Sequence, residues 1–212
     1  MISPVFAALA AFALAAVLLS ITPGLDTALI VRTSASEGRR AGVAAALGTA
    51  AGCLWWATLT ALGLSALLAA SEIAYEILKW IGAAYLVWMG FKLILNPRTV
   101  LEETGTTDRA HRSAWGWLAK GFFTNILNPK VGVFYVSFLP QFVPHGVSPP
   151  PFILLLGAIH AVIGFVWLAI LSGATHRITS ALKRPGVLKA LDRVTGLVFI
   201  AFGAKLALES RR

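Results

Sequence analysis

The stretch GFFTNILNPKVGVFYVSFLPQF, residues 121–142, decides how the chain is read. Its apolar length suits a membrane-spanning helix, yet Asn125, Asn128, Pro129 and Lys130 occupy its first half. Proline removes one helix hydrogen bond and clashes with the carbonyl a turn back. Backbone groups freed in this way need partners in lipid, and such breaks are tolerated where they line a cavity. Lys130 lies about 15 Å beyond Lys120 at the helical rise, close to a bilayer midplane. The stretch predicts a span that opens around a polar site.

Of the 212 residues, 58% are hydrophobic and 13% charged, against about 45–50% and about 25% in soluble domains. One water-soluble core of this size cannot bury that surplus, so the chain reads as an all-α integral membrane protein. Six apolar segments, roughly 4–31, 41–70, 73–95, 120–143, 150–174 and 187–208, each reach the about 20 residues a spanning helix needs. A short turn at Ser71 and Glu72 makes the second and third antiparallel neighbours. The polar stretch 96–112 divides the six into two groups of three. The expected organisation is a single transmembrane transporter domain over 1–212. It comprises one repeat at about 1–95, a cytoplasmic loop at about 96–119 and a second repeat at about 120–212. The first segment has no Lys or Arg ahead of its apolar run and continues past Pro23-Gly24 into more apolar sequence, so it is read as a retained span rather than a signal peptide.

Charge sets the orientation. There are 18 Lys+Arg against 9 Asp+Glu, but the basic residues sit singly or in pairs between apolar runs without interleaved stacking aromatics, which speaks against nucleic acid. The connections after the first, third and fifth segments hold Arg32, Arg39 and Arg40; Arg98, Arg109, Arg112 and Lys120; and Arg177, Lys183, Arg184 and Lys189. The alternate connections hold only Lys79, so the first set is expected in the cytoplasm and both termini outward. The halves also echo each other. TPGLD around Pro23 matches NPKVG around Pro129. Gly52/Trp55 matches Gly164/Trp167, and Gly90/Lys92/Leu93 matches Gly203/Lys205/Leu206. The three matches keep one order at nearly constant separation. Because three spans per copy is odd, the copies must be oppositely oriented. The predicted fold is six transmembrane helices as two inverted three-helix repeats, with broken first and fourth helices.

Within that plan Pro23, Gly24, Pro129, Asn125 and Asn128 mark the breaks. Asp26 is the only acid of the first segment, about 9 Å in from Arg32. An ionisable group at such depth costs at least ~2.5–3.5 kcal/mol at a helix centre and so faces protein or water. If the copies are inverted, the breaks approach and Asp26 shares one cavity with Lys130. Simpler roles stand beside this one. Asp26 could cap a half-helix starting near Thr27, and Lys130 could snorkel or form only a structural pair with Asp26. Asn125 and Asn128 could satisfy broken backbone or touch substrate. His160 could relay protons or pack as a neutral hydrogen-bonded ring, the second being favoured. Gly48, Gly52, Gly82 and Gly90 read as close-packing positions between helices.

Enzymatic chemistry is not expected. No G-x-x-x-x-G-K-[ST] phosphate loop occurs. Histidines 111, 145, 160 and 176 are scattered without cysteine partners, so neither metal nor other cofactor is indicated. Cys53, alone in an apolar run, reads as an inert buried thiol. The pair Ser172 and His176 has no orienting acid on its own segment.

The regions SITPGLDTALIVRTSASEGRRAGVAAALGTAAG (20–52) and GFFTNILNPKVGVFYVSFLPQF (121–142) resemble the two signature regions of the lysine exporter superfamily. The likeness is closest to its homoserine/threonine-exporter branch and runs in order over essentially the whole chain. Pro23 and Gly24 match the first motif and Asp26 fills its acid position, while Leu25 stands where a second proline is common. The resemblance implies bacterial inner-membrane proteins that expel amino acids or similar metabolites, driven by an ion gradient, with Pro23, Gly24, Asp26, Asn125, Asn128, Pro129 and Lys130 at the site. The superfamily's thiol–disulfide carriers need paired cysteines, which Cys53 alone cannot supply, and its cadmium exporters need soft ligands that are missing here. The expected function is proton-coupled export of amino acids or close analogues. Asp26 would hold the substrate ammonium and exchange a proton, and Lys130 with the half-helix start after Pro129 would hold the carboxylate. The expected partners are an amino acid, a proton or other coupling ion, and the lipid bilayer, with a homodimer left open. A passive channel, an exporter of another small metabolite or cation, and a membrane scaffold remain as alternatives.

Overall fold

A computed structural model describes residues 3–70, 72–97, 113–173 and 184–208. Ser71, the loop cations Arg98, Arg109, Arg112, Arg177 and Lys183, and His111 and His176 lie outside these residues, as do the side chains of Lys79, Pro129 and Lys205.

The first apolar segment forms two helices, α1 (Pro4–Ile21) and α2 (Leu25–Glu37). Ser3 starts α1 by accepting a hydrogen bond from the Phe6 N–H at 3.2 Å, with Pro4 in the first turn, where its missing N–H costs nothing. Gly38 has φ of 87°, a left-handed conformation open to glycine, and lets the chain leave α2 and enter α3 (Arg39–Ala70) at once. Then come α4 (Glu72–Leu95), α5 (Ala114–Ile126) and α6 (Pro129–Val133). Beyond α6 the helix widens to a π-helical turn over Phe134–Phe138 and tightens to 3-10 over Leu139–Phe142. The cause is Pro140, which has no N–H to continue the ladder; the Leu139 N–H reaches back to Phe134 O, and the Gln141 side-chain amide donates to Ser137 O at 2.8 Å. Two long helices complete the described chain, α7 (Pro149–Gly173) and α8 (Pro185–Leu208).

Burial is arranged as a membrane demands. Residues Pro4–Ile21, Arg39–Gly63 and Pro149–Gly173 are each long and apolar enough to cross a bilayer. On α7, Leu154, Leu155, Val162, Val166 and Ile170 point outward while His160 and Ser172 are buried. Elsewhere Thr22, Thr27, Thr49, Asn125, Asn128 and Asp192 are buried and Leu14, Trp55, Leu62 and Trp88 exposed. Polar groups inside and large apolar groups outside is stable when the surrounding solvent is hydrocarbon.

Helix α3 packs on α5 and α7, α4 packs on α8, and α1 and α2 both lie against α7. Small residues set the spacing, as expected where helices approach closely without a hydrophobic driving force. A side chain at Gly48 would overlap the Leu118 carbonyl, and one at Gly121 the Ala45 carbonyl, so α3 and α5 meet backbone to backbone. Two apolar clusters result. One gathers Phe12, Phe134, Tyr135, Phe138 and Phe142 with the 152–161 part of α7. The other gathers Leu29, Ile30, Ala45, Trp117, Leu168 and Leu171. Helix α1 belongs to the first cluster and α2 to the second. The break between them therefore falls between the clusters.

Candidate functional site

Thr22 takes an extended conformation, ψ 111°, as the residue before a proline must. Its N–H and its hydroxyl both return to Leu18 O, the latter at 2.7 Å. Its hydroxyl also meets that of Thr195 on α8. Pro23 and Gly24 complete the gap before α2. Leu25, at the position of the second proline common in the first motif, occupies the first helical residue, the place where proline fits a helix without distortion. Thr22, Pro23 and Gly24 make the break without it.

Asp26 lies in the first turn of α2, inside the helix, and the N-cap Gly24 makes no side-chain capping bond. The capping reading of Asp26 thus gives way to a tertiary contact: its Oδ2 accepts from the Asn125 Nδ2 at 3.2 Å, bonding α2 to the last turn of α5. The second break is built differently. Asn128, extended ahead of Pro129, accepts from the Lys130 N–H at 3.1 Å and so caps α6. The Lys130 ammonium then crosses to the first break, donating to Thr22 O at 3.3 Å and Leu19 O at 3.4 Å. A cation at the C-terminal end of α1 sits where the helix dipole favours it.

Asp26, Asn125, Asn128, Lys130, His160 and Gly24 all line one cavity of about 60 Å³. Pro23 is not among the residues lining it. His160 is buried, and its Nδ1 lies 2.9 Å from the Tyr135 hydroxyl in the π-helical turn. Cys53 is a buried free thiol on the same wall. Among the described residues no group of three or more His, Cys, Asp or Glu side chains is placed to hold a metal.

Four buried polar atoms on this wall have no hydrogen-bond partner among the described residues: Ser20 Oγ, Asp26 Oδ1, Asn125 Oδ1 and Trp167 Nε1. Buried polar atoms in folded proteins are nearly all bonded, so four around one small space mark a place for water or ligand. A volume of about 60 Å³ holds a few waters, far below the roughly 300–1,000 Å³ of ligand pockets. The site is closed. Beyond the second cluster, Ser34 and Ser172 pair at 2.9 Å and Ser172 donates to Arg39 O at 3.0 Å, joining α2, α7 and α3.

Sequence reasoning missed Ser20, Thr49 and Trp167 on this wall. Trp167 carried a signal: it stands well inside α7, whereas membrane tryptophans gather at the interfaces.

The family model described as LysE type translocator matches residues 17–210. The homoserine/homoserine lactone efflux protein of Salmonella typhimurium is 32% identical over 201 residues, covering 93% of this chain and 94% of that protein. The leucine efflux protein of Klebsiella pneumoniae is 28% identical, covering 91% of each chain. An uncharacterised membrane protein of Bacillus subtilis is 28% identical, covering 91% of this chain and 95% of its own. No solved structure matches the chain.

Proposed function

We propose, from the premise that this chain belongs to the LysE type translocator family, that it is a secondary-active exporter of amino acids or close analogues in the bacterial inner membrane, exchanging substrate for protons. One observation carries the reading. Where the two broken helices meet, Asp26 and Asn125 line one small cavity, and each has a buried acceptor atom, Oδ1, without a hydrogen-bond partner among the described residues. An ammonium group brings three donors and a positive charge to such a pair. The relatives' named cargoes, homoserine, its lactone and leucine, share an α-ammonium but not a carboxylate.

A proton competes with that ammonium for the same carboxylate. Release of one on loading of the other yields exchange. The aromatic cluster and the cluster of Leu29, Ile30, Leu168 and Leu171 pack around the helices that carry the site, and in this reading transport requires their packing to part in turn. The pairing of α3 with α7 and α4 with α8, helices in equivalent positions of the two halves, fits a two-repeat plan; the odd number of spans per copy supports opposite orientation, and the Lys/Arg asymmetry supports both termini outward. Lys130 and the Asp26–Asn125 bond tie the two breaks together, and in this reading these ties lengthen when the cavity widens.

The test is counterflow in proteoliposomes. Labelled leucine or homoserine should accumulate against unlabelled substrate and respond to an imposed pH gradient. Uniport without any gradient response would make the protein a channel, and an absence of flux for a full amino-acid panel would end the export reading.

A further inference from the structure

We infer that Ser20 and Trp167 form a second, uncharged subsite that binds the acceptor group of the substrate, a carboxylate or a neutral carbonyl alike. The inference rests on the export reading above and deepens it. Asp26 Oδ1 and Asn125 Oδ1 are acceptors, while the indole Nε1 of Trp167 can only donate and the Ser20 hydroxyl can donate or accept. The unpartnered groups of the cavity's lining residues therefore include both acceptors and donors. The donating groups are contiguous. Ser20 Oγ lies against Gly164 on α7, 3.9 Å from where a side chain there would begin, and Trp167 follows one helical turn later on the same face.

Lys130 is the obvious rival for a carboxylate. Its ammonium instead donates to the Leu19 and Thr22 carbonyls, which would lose that donor if the cation turned to substrate. A hydroxyl and an indole N–H carry no charge, so they gain about as much from an ester or lactone carbonyl as their modest hydrogen bonds allow, and more from a carboxylate. The substrate class that follows is α-amino acids together with their esters, lactones and amides. Simple alkylamines, which offer no acceptor to Ser20 and Trp167, are excluded from it.

The experiment is competition against labelled leucine counterflow by leucine, leucine methyl ester and 3-methylbutylamine, the last being leucine without its carboxylate. The wild type should rank acid and ester about tenfold or more above the amine. Trp167→Phe, which keeps the ring and removes only the donor, should bring acid and ester down to within about threefold of the amine and leave the amine itself unchanged. Ser20→Ala should act in the same direction and serves if Trp167→Phe fails to reach the membrane. Ranking unchanged in both variants, with the acid's advantage lost only in Lys130→Met, would overturn the assignment and return the carboxylate to Lys130. An ester no better than the amine in the wild type would overturn it as well. Either result leaves amino-acid export standing, whereas a wild type that shows no leucine counterflow removes the export reading and this subsite together.

Discussion

The two helix breaks use the same device and satisfy it in opposite ways. At the second, Asn128 closes the gap locally: its side chain caps α6, and its own N–H donates to Asn125 O at 3.0 Å. At the first, Gly24 has no side chain with which to cap α2. The carbonyls that end α1 take their donor from Lys130, and the acid of α2 takes its donor from Asn125, both belonging to the other half of the chain. One break is self-contained and the other depends on its partner. A break that borrows its hydrogen bonds can exchange them for a ligand's, so the first is the receptive element and the second its frame.

The largest effect should come from the receptive side. Asp26→Asn keeps an acceptor for Asn125 but removes the charge that an ammonium or proton requires. Export should fall by ~2 orders of magnitude or more, the loss expected when a bound ammonium loses its buried charge partner, while the protein still reaches the membrane. Combining it with Lys130→Met separates a site from a strut. If the two charges serve only each other, the double variant regains stability and gradient-driven export together. If Asp26 serves substrate, it regains stability alone and stays inactive.

That the breaks exist was legible because proline acts on its own neighbours: Thr22 and Asn128 are extended simply because Pro23 and Pro129 follow them. The apolar runs gave helices for the same local reason, three of them among the described residues long and apolar enough to cross a bilayer. Helix ends were less legible, since α2 extends through polar residues to Glu37 and α3 begins at Arg39, a junction decided by the left-handed Gly38. The candidate site was legible where an unusual residue stood in an apolar run, as with Asp26, Lys130 and His160, all of which reach one cavity. Direction was not. Nothing in the spacing says that Lys130 reaches the carbonyls of α1, or that Ser20 on α1 and Trp167 on α7 share a wall, because those contacts exist only once the helices have packed.

Stability should rank the two breaks. Lys130→Met deprives Leu19 O and Thr22 O of a charged donor, and hydrogen bonds to charged groups contribute ~1.5–3 kcal/mol. Asn128→Ala removes one capping bond, about 1 kcal/mol, because the rest of that turn is held by its own backbone. Thermal unfolding in one detergent should therefore show the larger loss for Lys130→Met. The reverse order would mean that the second break is the dependent one, and the receptive and framing roles would have to be exchanged.

The smallest effect tests whether the frame stays out of the chemistry. His160 belongs to the second break's side of the cavity through its bond to Tyr135 in the π-helical turn, and Phe134 packs against its ring at 5.2 Å between centroids. Those contacts describe a packed, hydrogen-bonded ring, and loss of one neutral bond costs about 1 kcal/mol. Asparagine can still meet the Tyr135 hydroxyl, so His160→Asn should retain export within about threefold of the wild type and keep its response to a pH gradient. The discriminating result is a variant that binds leucine normally and counterflows it but no longer responds to the gradient. That outcome would move the proton from Asp26 to His160, place substrate at one break and coupling at the other, and replace the contrast between a receptive and a passive break with a division of labour between two active ones.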